Sequence, residues 1–589
     1  MTGVLLYKGG KQMTDLISRG MSKKNQDSID NTAAVLKSKY KLKCNGTDSV
    51  DSLQSALDDL KNIGYNKIVF PPSPSFYLTK SLTIPEGLTL DLNGASITVI
   101  NSISESPIKI AGSNTKIKNL KLIHENRNYN AKSGVEGIEF KGSKNVDNLF
   151  FYNIKVEGFE NGINIYPRDG YAANNIKFFN CETNYAEMAG LNVANVSNVI
   201  VQNHNAFYNA LDGFKTTKNA IGVRVYGGSF SNNVNPVDTY ADGIDLYAGA
   251  SDCIIHGAVC ESNGGVGIHT MNGELHDSTY QTPALSPVKH VVIDGCISKN
   301  NTVSGFDAVT KLTVSATSPY VSKVIFKGCI AYGNQHGINL LGRNIILSDC
   351  ILSQNKKHGV LATKTTLVEI NNCKVLNNST EAAGTYAGIC LDGCTYVKVN
   401  SGTIDGADSD TLQNQDGSAL TKYHKYGIEV KNTETSDYIE VNNPTILNFT
   451  DTRGVYVNNF AVAGNDSKKI VVKIGDVGTN PLNNQIGSLG SELYRNGRKY
   501  LKKTGLNSVE WDLELRTKEG STNLTADGTA TTFTIPHGLG VSPTRYNLIP
   551  KTANAAGNHY VATSATNLII YFLTAPSAGT LTFQWEASV

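Results

Sequence analysis

The chain has no run of about 18 consecutive apolar residues, so no segment reads as a membrane-crossing helix. Its opening stretch, MTGVLLYKGGKQMTDLISRG, lacks the apolar core and small-residue cleavage site of a secretory signal, which points to synthesis and assembly inside a cell. Neither sign of charge is in excess: 53 Lys and Arg oppose 51 Asp and Glu, too even a balance to gather nucleic acid or an anionic membrane. Cysteine is present, but no CxxC pair is. Cys390 and Cys394 flank a turn with no histidine beside them, which argues against a zinc finger.

What the sequence does have is glycine, 55 residues of it, in a recurring phrase of Gly, bulky apolar, variable, apolar. It reads GIEF at Gly137, GINI at Gly162, GLNV at Gly190, GFKT at Gly213, GIDL at Gly243 and GIHT at Gly267, and it continues from GFDA at Gly305 to GVYV at Gly454. The spacing drifts between 22 and 39 residues, as rungs of a solenoid do when they carry loops of different length. Before each phrase runs a second alternating segment, such as VVIDGCIS from Val291 or VIFKGCIA from Val324. Stacked at about 4.8 Å, these segments put Cys296, Cys329, Cys350 and Cys373 into one internal ladder of reduced thiols. Asn263, Asn300, Asn334, Asn355 and Asn377 sit at the corners, where asparagine tolerates left-handed backbone and forms turns. The fold expected is all-β: a right-handed, single-stranded parallel β-helix.

The ends differ from the middle. Val50 to Ile63 puts Leu53, Ala56, Leu57, Leu60 and Ile63 on one helical face, a cap for the first rung. Residues 1–45 are polar, with a weak helical pattern from Met21 to Lys39, and read as an attachment segment. The glycine phrase stops after Gly454, and both tryptophans, Trp511 and Trp585, lie beyond it. The expected division is therefore 1–45 attachment, 46–480 β-helix, 481–519 connection and 520–589 a small antiparallel β-sandwich for assembly or receptor binding.

A helix followed by KIVFPPSPSFYLTKSLTIPEGLTLDLNG and then by glycine-apolar rungs resembles the pectate-lyase-like tailspikes of bacteriophages, over residues 45–470. GSELYRNGRKYLKKTGLNSVEWDL and the closing TFTIPHGLGVSPTRYNLIP through LTFQWEASV are similar to the ends of appendage proteins in phages of Gram-positive hosts. The resemblance implies a homotrimer in the virion tail, assembled in the host cytoplasm and joined to tail or baseplate proteins through its N-terminus. It also implies a bacterial surface glycopolymer as partner, capsule, O-antigen or teichoic acid, bound or depolymerised by a hydrolase or lyase activity during host attachment and entry. The chain departs from the polygalacturonase pattern of NTD, DD and GHG signatures and has no evident calcium-binding aspartate cluster, so no catalytic residue transfers.

Candidate chemistry comes from register. In each glycine phrase the residue two after Gly is expected to face solvent, which gives consecutive Lys215, Asp245, His269 and Asp307, about 5 Å apart. Asp212 and Asp242 precede their glycines in adjacent rungs and could share a proton. Glu261, in CESNGG, enters the next corner. The loop MNGELHDSTYQTPALSP after Gly267 could bring His276 or Asp277 over the column. In the catalytic reading Asp242 or Asp245 is general acid or base, His269 shuttles the proton and Lys215 steadies an anionic sugar or phosphate. No cofactor is expected, and a divalent metal is left open. In the plainer reading the charges keep a solenoid soluble and each Asp-Gly is a turn. Three functions then compete: a tailspike depolymerase, a non-catalytic adhesin whose tyrosines grip sugars, and an exported polysaccharide lyase, against which the missing signal counts.

Overall fold

The structure is a computed structural model that describes residues 5–8, 45–48, 50–62, 64–70, 75–100, 103–125, 134–235, 240–272, 287–310, 320–407, 422–431, 436–442, 444–451, 455–457, 470–476, 492–495, 498–502, 511–513 and 517–588. The chain divides into two compact units, 1–471 and 472–589.

The first unit is a parallel β-helix with three strands to a rung. One rung runs Ser251–His256, Val259–Glu261 and Ile268–Asn272, and the next begins at Lys289–Asp294. Each strand pairs with its equivalent one turn on: Ile254 with Val292, Cys260 with Ser298, His269 with Asp307. The first two faces join in long strands such as Val146–Glu157, while the third is a separate 14-stranded parallel sheet from Leu82–Ile84 to Val455–Val457. Alternation supplies the core: inward Val, Ile, Leu and Phe, with Phe178, Phe214, Phe230, Phe306 and Phe326 fully buried.

The glycine phrase has a steric cause. A Cβ on Gly243 would stand 2.5 Å from the carbonyl oxygen of Gly267 and 3.0 Å from Asn263 Nδ2, so rungs at this corner close only around hydrogen. Asn263 there is no turn former. It belongs to a buried chain of amides in which Asn209 donates to Asn233, Asn233 to Asn263, Asn263 to Asn301, Asn301 to Asn334, Asn334 to Asn355 and Asn355 to Asn378, at 2.7–3.2 Å. The left-handed residue is the one before: Ser262, Asn300, Gly333, Gln354 and Asn377 all have positive φ. The turn-forming role expected of the five asparagines thus fits Asn300 and Asn377, whereas Asn263, Asn334 and Asn355 hold the interior together.

The cysteine ladder is present, with Cys296, Cys329, Cys350 and Cys373 buried and hydrogen-bonded to carbonyls of their own or the preceding rung. All nine described cysteines are free and buried; burial pushes the Cys296 thiol up to about 12, keeping it protonated and inert.

Helix Val50–Asn62 covers the start of the third face, burying Val50, Leu53, Ala56, Leu57 and Leu60. Gln54 completes the cap by acting as a strand would: its amide donates to Thr83 O at 3.0 Å and accepts from Thr83 N at 2.7 Å. Ile63 and the weak helical pattern from 21 to 39 lie outside the described residues, where most of 1–45 and 481–519 also falls. Leu5–Lys8 pairs antiparallel with Tyr65–Val69.

In the second unit, strands Thr517–Ala526, Gly579–Ser588 and Arg545–Pro550 form one antiparallel sheet and Thr532–Pro536, Asn567–Phe572 and His559–Thr563 another. Inward residues of both, among them Leu581, Phe583 and Trp585 from one and Ile535, Leu568 and Ile570 from the other, share one apolar core.

Candidate functional site

Third-face strands Phe214–Thr217, Ile244–Tyr247, Ile268–Asn272 and Ser304–Thr310 bring Lys215, Asp245, His269 and Asp307 into consecutive register, followed by Asn339. The column is not solvated as expected. Asp245 is 3% exposed, His269 8% and Asp307 4%, and Lys215, Asp245 and His269 bond along and across the column. The same holds at its head, where Asn192 donates to Asn164 at 3.0 Å and Asn164 to Glu136 at 2.7 Å.

Lys215 Nζ sits 2.7 Å from Asp212 Oδ2 and 2.7 Å from Asp245 Oδ2, with the ring of Tyr247 5.2 Å away. His269 Nδ1 lies 2.9 Å from Asp242 Oδ2 and 3.9 Å from Asp245 Oδ1. Asp212 and Asp242 do not share a proton: each carboxyl closes on its own cation, and the second oxygen of each accepts a backbone N–H, from Asp242 at 3.0 Å and from Val266 at 2.6 Å respectively. Both oxygens of Asp242 are thereby engaged, and its carboxylate fixes the His269 ring.

Two oxygens are left over. Asp245 Oδ1 and Asp307 Oδ1 are buried acceptors without a hydrogen-bond partner, on either side of His269. Burial raises Asp307 to about 7, outweighing the pull of His269 and of the neighbouring Ser304 hydroxyl and Asn339 amide. For His269 burial works the other way and loses to Asp242 and the neighbouring Asp245 and Asp307, which hold the imidazole protonated up to about 10. Burial likewise raises Asp212 and Asp242 against the pull of Lys215 and His269, while Lys215, despite burial, is raised by Asp212 and Asp245. Near neutrality the column therefore carries an ammonium, an imidazolium and one carboxyl on the edge of ionising.

Glu261 is not part of this group. It lies on the second face, in register with Ser231 and Lys299, and pairs with Lys299 Nζ at 3.0 Å. His276 and Asp277 lie outside the described residues. Sequence reasoning missed Glu136, which precedes Gly137 just as Asp212 and Asp242 precede their glycines; that shared position was the available signal.

Ligand atoms of Asp242, Asp245 and His269 lie within 4.8 Å of one another, but they are already engaged with one another and with Lys215. His269 Nδ1 is bonded to Asp242 Oδ2 and Lys215 Nζ to Asp245 Oδ2, so a cation there would have to break both contacts and meet the ammonium at short range.

No family model matches the sequence, and no curated protein matches it. Among solved structures the chain is similar to the pre-mature gene product 12 of bacteriophage phi29, at 14% identity and a TM-score of 0.45, over 84% of this chain and 60% of that one. It is similar to the tailspike of the E. coli bacteriophage HK620 in complex with a pentasaccharide, at 11% identity and 0.42, over 93% and 90%. It is also similar to the A-module of the Azotobacter vinelandii mannuronan C-5 epimerase AlgE4, at 14% and 0.39, over 72% and 96%.

Proposed function

We propose that the protein is a phage tailspike that binds a bacterial surface glycopolymer, teichoic acid or capsular polysaccharide, and cleaves it by acid-base catalysis on the third face. The observation that carries the catalytic part is the pair of buried, unpartnered carboxylate oxygens on Asp245 and Asp307 flanking a protonated His269. Buried acceptors without donors are costly, and a hydroxyl-rich polymer supplies donors. Asp307, poised at about 7, is the proton donor; Asp245 is the complementary base; Lys215 and His269 stabilise developing negative charge. Asp212 and Asp242 are positioning residues, each bonded to one of those cations. Asp245 and Asp307 stand two rungs apart, about 9.6 Å along the axis, closer to the spacing of inverting than of retaining glycosidases. The glycine-apolar rungs and the C-terminal segments support a homotrimer, assembled in the host cytoplasm and joined to the tail through its N-terminus.

A second reading, a virion adhesin without catalysis, is favoured by depth: with at most 4% of Asp245 and Asp307 exposed, a polymer has little to touch. The deciding experiment incubates the full-length protein with teichoic acids and capsules and follows reducing ends, unsaturated products and phosphomonoesters. Cleavage is expected to fall as pH rises through about 7, where Asp307 loses its proton, and Asp307→Asn is expected to lower the rate by about 10²- to 10⁴-fold and abolish that pH limb. Binding without any product leaves the adhesin; cleavage unchanged in Asp307→Asn removes the column from the chemistry.

A further inference from the structure

On the first face one register position takes left-handed backbone in rung after rung. Earlier rungs fill it with Asn175, Asn198, Gly222 and Asp252, then with His290, Lys323 and Asn344. The next three fill it with apolar or aromatic side chains, Leu367 at φ 60°, Tyr396 at 57° and Tyr438 at 51°. Bulky side chains are disfavoured there, and at this position, where the rungs just before carry His290, Lys323 and Asn344, two successive rungs carry tyrosine. Tyr396 and Tyr438 stack with ring centroids 4.7 Å apart and planes 7° off parallel, and they are 50% and 44% exposed, so their core contribution is small.

Two residues further along each strand runs an outward column of Ile346, Glu369, Lys398 and Glu440. The two columns line one concave pocket. An aromatic wall with phenol hydroxyls, facing carboxylates that accept hydrogen bonds and an ammonium that donates them, matches the amphipathic surface of a pyranose ring. Two carboxylates against one ammonium, with Lys398 Nζ 3.8 Å from Glu440, disfavour an anionic sugar. We infer that the pocket between the Tyr396–Tyr438 stack and Glu369, Lys398 and Glu440 is a second carbohydrate-binding site, for a neutral or amino-bearing pyranose. It lies on a different face from the acid-base column, and it stands or falls without reference to cleavage.

The test titrates the full-length protein with tetramers of glucose, galactose, N-acetylglucosamine and glucosamine, and with tetragalacturonate, by calorimetry. The variant is Tyr396→Asn with Tyr438→Asn, because asparagine adopts the same backbone at low cost and the fold is kept. At least one neutral or amino tetramer should bind and tetragalacturonate should not; the variant should bind at least tenfold more weakly, with a melting temperature equal to or above that of the native chain. The inference is overturned if no neutral or amino tetramer binds, or if the variant binds as well as the native protein. A variant that changes its oligomeric state instead assigns the rings to an interface between copies of the chain and overturns it equally.

Discussion

Lys215 shows how far a single buried charge can organise its surroundings. With 22% of its side chain exposed, it bridges two carboxylates that are 1% and 4% exposed. Truncating one partner of such a set leaves the others charged and dry, which costs about 3 kcal/mol or more. Lys215→Met is therefore expected to lower the unfolding free energy by about 3 kcal/mol at pH 7. The deficit should shrink on acidification, since Asp212, raised by burial, takes up a proton and so loses the charge that Lys215 had balanced. Urea midpoints at pH 7 and pH 4.5 measure both effects, and adding Asp212→Asn and Asp245→Asn to Lys215→Met should restore most of the loss at pH 7. A deficit that is the same at both pH values would mean that Lys215 acts through packing alone.

At the scale of the rung, two adjacent asparagines do unrelated work. Asn300 has left-handed backbone, while Asn301 donates to Asn334 and Ser298 and accepts from both the backbone and the side chain of Asn263. Asn301→Ala should cost about 3 kcal/mol, because it strands buried donors and acceptors in two rungs. Asn300→Ala should cost about 1 kcal/mol, the price of left-handed backbone for a residue with a Cβ. Equal losses in chemical denaturation would refute this division. The contrast also marks what the sequence could disclose. The phrase from Gly137 to Gly388 revealed the fold because close approach at that corner excludes every other residue. Register along it placed Lys215, Asp245, His269 and Asp307 together. Alternation, however, says only which way a side chain leaves the strand, so the burial of Asp245 and the pairing of Asp212 with Lys215 were illegible. The asparagine ladder was hidden by its neighbours, since Asn300 and Asn301 look alike until φ is known.

For the unit 1–471 taken whole, the pH dependence of stability is set by opposed protonation equilibria of buried groups. Burial depresses His204, His336 and His424 to about 3 and His358 to about 4. The unfolded chain titrates its histidines near 6.5, so their contribution is present above that pH and is lost as pH falls toward 4. Asp307, raised to about 7, runs the other way, with stability present below about 3.9 and lost as pH rises through 7, and Asp212 and Asp242 are raised in the same sense. Glu136, raised by burial, runs the same way as the three aspartates, so the part of the acid limb that rises with pH is the part the four histidines supply. Above pH 6.5 the raised His269 governs, since its contribution is present below that value and lost as pH climbs through about 10. Each group is worth up to about 1.4 kcal/mol per pH unit. His424 ends the asparagine ladder as an acceptor from Asn378 N at 3.0 Å, a role a side-chain carbonyl can fill. His424→Asn is expected to flatten the acid limb of the stability curve between pH 4 and 6.5 by about one such increment, and His269→Asn the alkaline limb. If the acid limb keeps its slope without His424, the neutral buried histidines are not what makes the solenoid acid-sensitive, and the carboxylates of the third-face column become the groups to replace.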